Sequence, residues 1–118
     1  MDYVAELRKA ISIWKTQPVE NEWLFEEFRQ NTVEAMNAAE AFDAIDATVY
    51  ILLQEPDEDA SLEILQTLIY LASKSDTTEV PKRLLVSISA ITAKFATYGD
   101  YEKNKLAELL KHYRLLLY

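Results

Sequence analysis

Apolar residues recur along this chain at intervals of three and four, the spacing that gathers them on one side of an α-helix. The segment from Glu40 to Ala72 shows the pattern most clearly. Phe42, Ile45, Val49, Leu52 and Leu53 form one stripe; Leu65, Leu68, Ile69 and Ala72 form a second, widened by Ile64 and Leu71. Between the stripes, Pro56 cannot continue a helix, and Asp57, Glu58 and Asp59 suit the positive N-terminal end of the next one. Two antiparallel helices joined by a short acidic turn are therefore predicted. Such a hairpin cannot bury both its apolar faces alone, so its neighbours must cover them.

The same period predicts those neighbours. A first helix over about 2–15 has Asp2 as N-cap and Val4, Leu7, Ile11 and Trp14 on its buried stripe, and Thr16, Gln17 and Pro18 end it. A second, over about 19–30, turns Leu24, Phe25 and Phe28 to one side. It leaves Trp23 on the other side among Glu20, Glu26, Glu27 and Gln30, either packed under a neighbour or exposed as an aromatic anchor ringed by acids. Residues 31–39 are rich in small side chains and either break the helix or carry it into the hairpin. The polar run 73–82 is a connector, with Thr78 as a candidate cap and Pro81 in the first turn of the next helix. That helix, over about 81–98, has Leu84, Ile88, Ile91 and Phe95 on its main stripe and Leu85, Val86, Ala90 and Ala93 over much of the rest. With few charges beyond Arg83 apart from Lys94, it is expected to be the most enclosed. Gly99 is expected to form a left-handed C-cap, and Asp100 to cap a last helix with Leu106, Leu109, Leu110, Tyr113, Leu116 and Leu117 inward.

The chain is therefore expected to be a single all-α domain over 1–118: N-terminal helices at 1–39, a central hairpin at 40–74 and a C-terminal hairpin at 81–118. One glycine and three prolines leave little material for β-turns, and no β-branched run alternates with polar residues. A shift of about 40 residues maps Ile45 on Leu85 and Ile51 on Ile91; one residue more maps Leu65 on Leu106 and Leu68 on Leu109. Six helices in antiparallel pairs at that period suit a HEAT-like, short right-handed stack. No apolar run approaches the roughly 20 residues that cross a bilayer. The start lacks the apolar centre of a signal peptide, and cysteine is absent, which together fit a cytoplasmic protein.

Charge narrows the partners. Residues 1–63 hold 15 acids and 4 bases, residues 64–118 hold 5 acids and 8 bases, and the net charge is −8. Nucleic acid and anionic membrane repel such a chain, whereas a basic protein complements it. Candidate chemistry is thin. His112 is the only histidine, no GxSxG elbow or phosphate-cradling loop occurs, and the pairs Glu26/Glu27 and Asp43/Asp46 lack the Glu-x-x-His of a di-iron bundle. Asp57, Asp59, Ser61 and Glu63 alternate like calcium ligands, but Leu62 stands where the loop needs glycine and Leu68 where it needs glutamate. No enzymatic activity, metal or cofactor is expected.

What remains is a pair of polar stripes on the central hairpin. Asp43, Asp46, Tyr50 and Gln54 line one helix opposite its core stripe, and Glu63, Gln66, Tyr70 and Lys74 line the other. Tyrosine gives rigid contact area and acids steer a basic partner, so Trp23, Glu26, Asp43, Asp46, Tyr50, Glu63 and Tyr70 are the candidate partner-binding residues. Alternatively, the stripes are ordinary solvated faces. A small acidic chain with the hairpin LLQEPDEDASLEILQTLIYLA resembles the HEAT-like immunity proteins of bacterial polymorphic-toxin and contact-dependent inhibition systems, over about residues 33–117. The resemblance implies a protein that binds a cognate toxin domain, often a nuclease, and occludes its active site or substrate groove. It transfers no individual residue. A non-inhibitory adaptor and an acidic nucleic-acid mimic are the alternatives.

Overall fold

The computed structural model describes residues 2–16 and 23–115. Gln17, Pro18, Glu20, Leu116 and Leu117, given places above, lie outside the described residues, as does the start of the expected second helix.

Helix α1, Tyr3–Thr16, begins where Asp2 accepts the Ala5 N–H at 3.2 Å. It buries Leu7, Ala10 and Ile11, with Val4 and Trp14 half-buried beside them. Helix α2, Leu24–Phe28, buries Phe25 and Phe28 against it; the Trp14 and Phe25 rings meet edge to face at 5.5 Å. From Arg29 to Val33 the helix widens into a π-turn, closed by the Glu34 N–H on the Arg29 carbonyl at 3.1 Å. The chain then breaks. Asn37 and Glu40 form a capping box, with the Asn37 side chain accepting from Glu40 N at 2.8 Å and Glu40 Oε1 from Asn37 N at 2.9 Å. The break in 31–39 is thus real, and helix α3, Ala38–Gln54, starts just ahead of Glu40.

Asp57 caps helix α4, Glu58–Ser75, by accepting the Ala60 N–H at 2.8 Å. The helix ends on Asp76, whose φ of 54° is the left-handed conformation that a short polar side chain tolerates. Helix α5, Lys82–Phe95, and helix α6, Asp100–His112, complete an all-α fold with no strand among the described residues. The α3/α4 hairpin sits in the middle. On one side α1 packs against both its helices and the π-turn against α4; on the other, α5 packs on α3 and α6 on α4. The slab measures 41 × 34 × 19 Å.

The acidic turn between α3 and α4 is tied down more firmly than its charges suggest. Glu55 is only 7% exposed. Its carboxylate accepts from Lys15 Nζ and from the Asp57 N–H, each at 2.9 Å. Its carbonyl accepts from Ser61 Oγ at 3.3 Å and from Lys94 Nζ. One residue therefore joins α1, α4 and α5 at the hairpin tip.

Several expectations are corrected. Helix α5 is not the most enclosed: Leu85 is 54% and Val86 73% exposed, and Ile88 is half-buried. Among the described residues it stands at the edge of the slab, with α3 and α6 as its neighbours. The enclosed helix is α4, where Ile64, Leu65, Leu68 and Leu71 have no exposed surface. Gly99 has φ −75° and ψ 175°, so it is extended and not left-handed; it precedes α6 as the N-cap, and Asp100 is the first residue inside the helix. Thr78 is exposed, and α5 starts instead from Pro81, with Asp46 of α3 accepting the Arg83 N–H at 3.2 Å. Phe42, Leu53 and Ile69 are half-buried, while Ala41, Ala44, Thr48 and Ile51 join the core because α3 is covered on three sides. His112 reaches the connector, its Nε2 within 3.1 Å of the Thr77 carbonyl.

Because Ile88 lies at that edge, Ile88→Ala is expected to cost about 1 kcal/mol, well below a full cavity penalty. Urea unfolding of the variant measures it.

Candidate protein-binding surface

The candidate residues fall into two groups. Helices α3 and α4 pack on each other, so their solvent sides point away from each other. The stripe on α3 is bounded by α1 and α5. The stripe on α4 is bounded by the π-turn and α6.

On the α4 side the structure brings together Glu63 and Tyr70, with Glu26 close enough to act on the Glu63 charge and Trp23 just ahead of it at the start of α2. Arg29 holds the first two. It is the only base between Lys15 and Lys74, and only 5% exposed. Its Nη1 lies 3.6 Å from Glu63 Oε1 and 3.4 Å from both the Glu63 carbonyl and Thr67 Oγ1. Its guanidinium carbon stands 5.1 Å from the centroid of the Tyr70 ring. Tyr70 is 42% exposed, with Arg29 over its face. Lys74 extends the stripe, 3.8 Å from Glu34 Oε2 and donating to the Glu34 carbonyl at 3.2 Å. One turn before Glu26, Trp23 is 62% exposed, opposite buried Phe25 and Phe28. Of the two fates open to Trp23, the structure gives the exposed one.

Burial raises the Glu63 carboxyl above its ordinary value; Asp59 and Glu26 push the same way, and Arg29 opposes them. A raised pKa in the folded state means that the fold holds this proton more tightly than the unfolded chain does. The resulting stabilisation is complete below about 4.5 and is lost as pH rises through the folded value. Glu63→Gln removes that titration. Relative to this variant, the natural protein is expected to lose stability as pH rises above about 4.5, measured by urea unfolding from acid to neutral pH. A pH-independent difference would show that Glu63 does not titrate differently in the fold.

On the α3 side lie Asp43, Asp46 and Tyr50. Asp43 is exposed. Asp46 is half-buried and engaged at the start of α5, so it serves the fold. Tyr50 is 47% exposed, with the Arg83 guanidinium carbon 5.6 Å from its ring centroid. Glu63 is likewise half-buried and paired, whereas Trp23, Glu26 and Asp43 are exposed without a bond to another described side chain.

The sequence reading missed Arg29, Thr67 and Arg83. Arg29 was detectable as a lone cation in an acidic stretch; nothing local marks Arg83 as the companion of Tyr50. Among the described residues no group of three or more His, Cys, Asp or Glu side chains could hold a metal ion, and no helix is long and apolar enough to cross a membrane.

No family model matches the chain, nor does any curated protein or solved structure.

Proposed function

We propose that this chain acts by binding a protein, as an inhibitor of the immunity-protein class that covers the working surface of a basic toxin domain. One observation carries the reading: Trp23 stands 62% exposed beside the exposed carboxylates of Glu26 and Glu27. An indole left in water beside carboxylates has the composition of an interface anchor, where aromatic area holds the complex and carboxylates steer its approach. Tyr70, backed by Arg29, extends the same face. Binding is accordingly assigned to the α2/α4 face. The HEAT-like character of the stack and a cytoplasmic location belong to the same proposal.

The test is capture from the source cell followed by co-expression. The captured partner is expected to be basic, to arrest growth when expressed alone, and to be tolerated when this chain is co-expressed. A partner that is harmless alone would favour the adaptor reading, in which the separate α3 face supplies a second contact. A partner released competitively by duplex DNA would favour the nucleic-acid mimic.

A further inference from the structure

We propose that docking of a cationic partner on the α2/α4 face is coupled to ionisation of Glu63, so that the complex tightens as Glu63 loses its proton and loosens in acid. The inference rests on the reading of that face as the binding surface and adds its regulation. Glu63 shares one side of α4 with exposed Asp59, a turn earlier, and with Tyr70, two turns later. Its side chain is 19% exposed, open enough for a partner's cation to reach and too enclosed for water to solvate its charge fully. The one cation beside it is imperfectly placed. Arg29 Nη1 keeps 3.6 Å from the carboxylate and donates instead to the Glu63 carbonyl and Thr67 Oγ1. Arg29 Nε, also buried, has no acceptor among the described residues.

The charges that bear on Glu63 are Arg29 from the π-turn, Asp59 from α4 itself and Glu26 from α2; α1, α3 and α6, which also pack on α4, add none among the described residues. Three carboxylates thus share one guanidinium. Burial first, and then the two like charges, favour the protonated form of Glu63, while Arg29 alone favours the ion. A lysine or arginine that a partner brings beside Glu63 supplies a second cation. The complex then holds the Glu63 proton less tightly than the free chain does. Linkage makes the effect reciprocal, so loss of that proton strengthens docking. The extra affinity is complete above the value of the free chain and is lost as pH falls through the lower value of the complex.

The test follows the Glu63 carboxyl carbon by NMR in the isotope-labelled full chain across pH, alone and saturated with a lysine homopeptide at low salt. The homopeptide keeps its charge throughout, since lysine titrates only near about 10.4. It is expected to shift the amides of Glu26, Glu63 and Tyr70 and to weaken proton binding at Glu63 by about threefold. By the same factor, Glu63→Gln is expected to bind the homopeptide more weakly than the natural chain at neutral pH. That difference is expected to close as acid protonates Glu63 in the natural chain. Amide shifts on this face with an unmoved Glu63 midpoint would overturn the coupling and leave the face standing, as would a Glu63→Gln loss that stays constant with pH. Amide shifts that are absent, or confined to α3, α5 and α6, would overturn both.

Discussion

Leu68→Ala is expected to lower the stability of the fold by about 3–5 kcal/mol, the largest loss from any single truncation considered for this chain. Leu68 has no exposed surface and sits mid-way along α4, between Leu65 and Leu71, which are equally enclosed. That helix is met by α3, by α6, by the π-turn and by α1, so no neighbour can move inward on one side without parting from another. The cavity therefore stays open, and its cost adds to the lost transfer energy of the side chain. Domains of this size have about 5–15 kcal/mol in total, so the variant should unfold at a much lower urea midpoint. A loss close to that of Ile88→Ala would show that α4 is not the centre of the core.

Glu55→Ala is expected to cost about 2–4 kcal/mol, although it removes a residue from an acidic turn that reads as solvent-facing. Truncation leaves Lys15 Nζ and the Asp57 N–H without the carboxylate that both now approach at 2.9 Å. Lys15 is 40% exposed and can turn to water, which keeps the loss below that of a fully buried pair. Glu55→Gln retains an acceptor for the Asp57 N–H and should lose less. Urea midpoints for the two variants separate the charge from the hydrogen bonds. Equal, negligible losses would show that the turn is held by its backbone alone.

The helical period made the elements legible, because each apolar stripe reports one buried side whatever its neighbours are. Asp57 before α4 was legible for the same local reason, and the Asn37–Glu40 box could have been read from its spacing. Which helix lies at the centre was not legible. A run without charges, such as that between Arg83 and Lys94, occurs equally on a covered helix and on one whose exposed residues are small and neutral. The end of α4 on left-handed Asp76, with Gly99 merely extended, depends on how the chain turns in space and not on residue preference alone. Trp23, Glu26, Tyr50 and Tyr70 were recognisable as polar-side aromatics and acids. Their division between two faces was not, since it follows from the packing of α3 on α4, and the partners of Tyr70 and Tyr50, Arg29 and Arg83, reach them across long gaps in sequence.

The most direct test of the central claim is the kinetics of complex formation with the captured partner, at low and at physiological salt, for variants on both faces. Asp43 and Glu26 suit charge reversal because both are exposed; Asp46 does not, since it holds the start of α5. Trp23→Ala is expected to speed dissociation by about thirtyfold, equivalent to about 2 kcal/mol. Glu26→Lys is expected to slow association and flatten its dependence on salt. Tyr50→Ala and Asp43→Lys, on the opposite face, are expected to bind like the natural protein. Normal kinetics for Trp23→Ala and Glu26→Lys, with the losses falling on Tyr50→Ala and Asp43→Lys, would contradict the assignment and move the binding surface to α3.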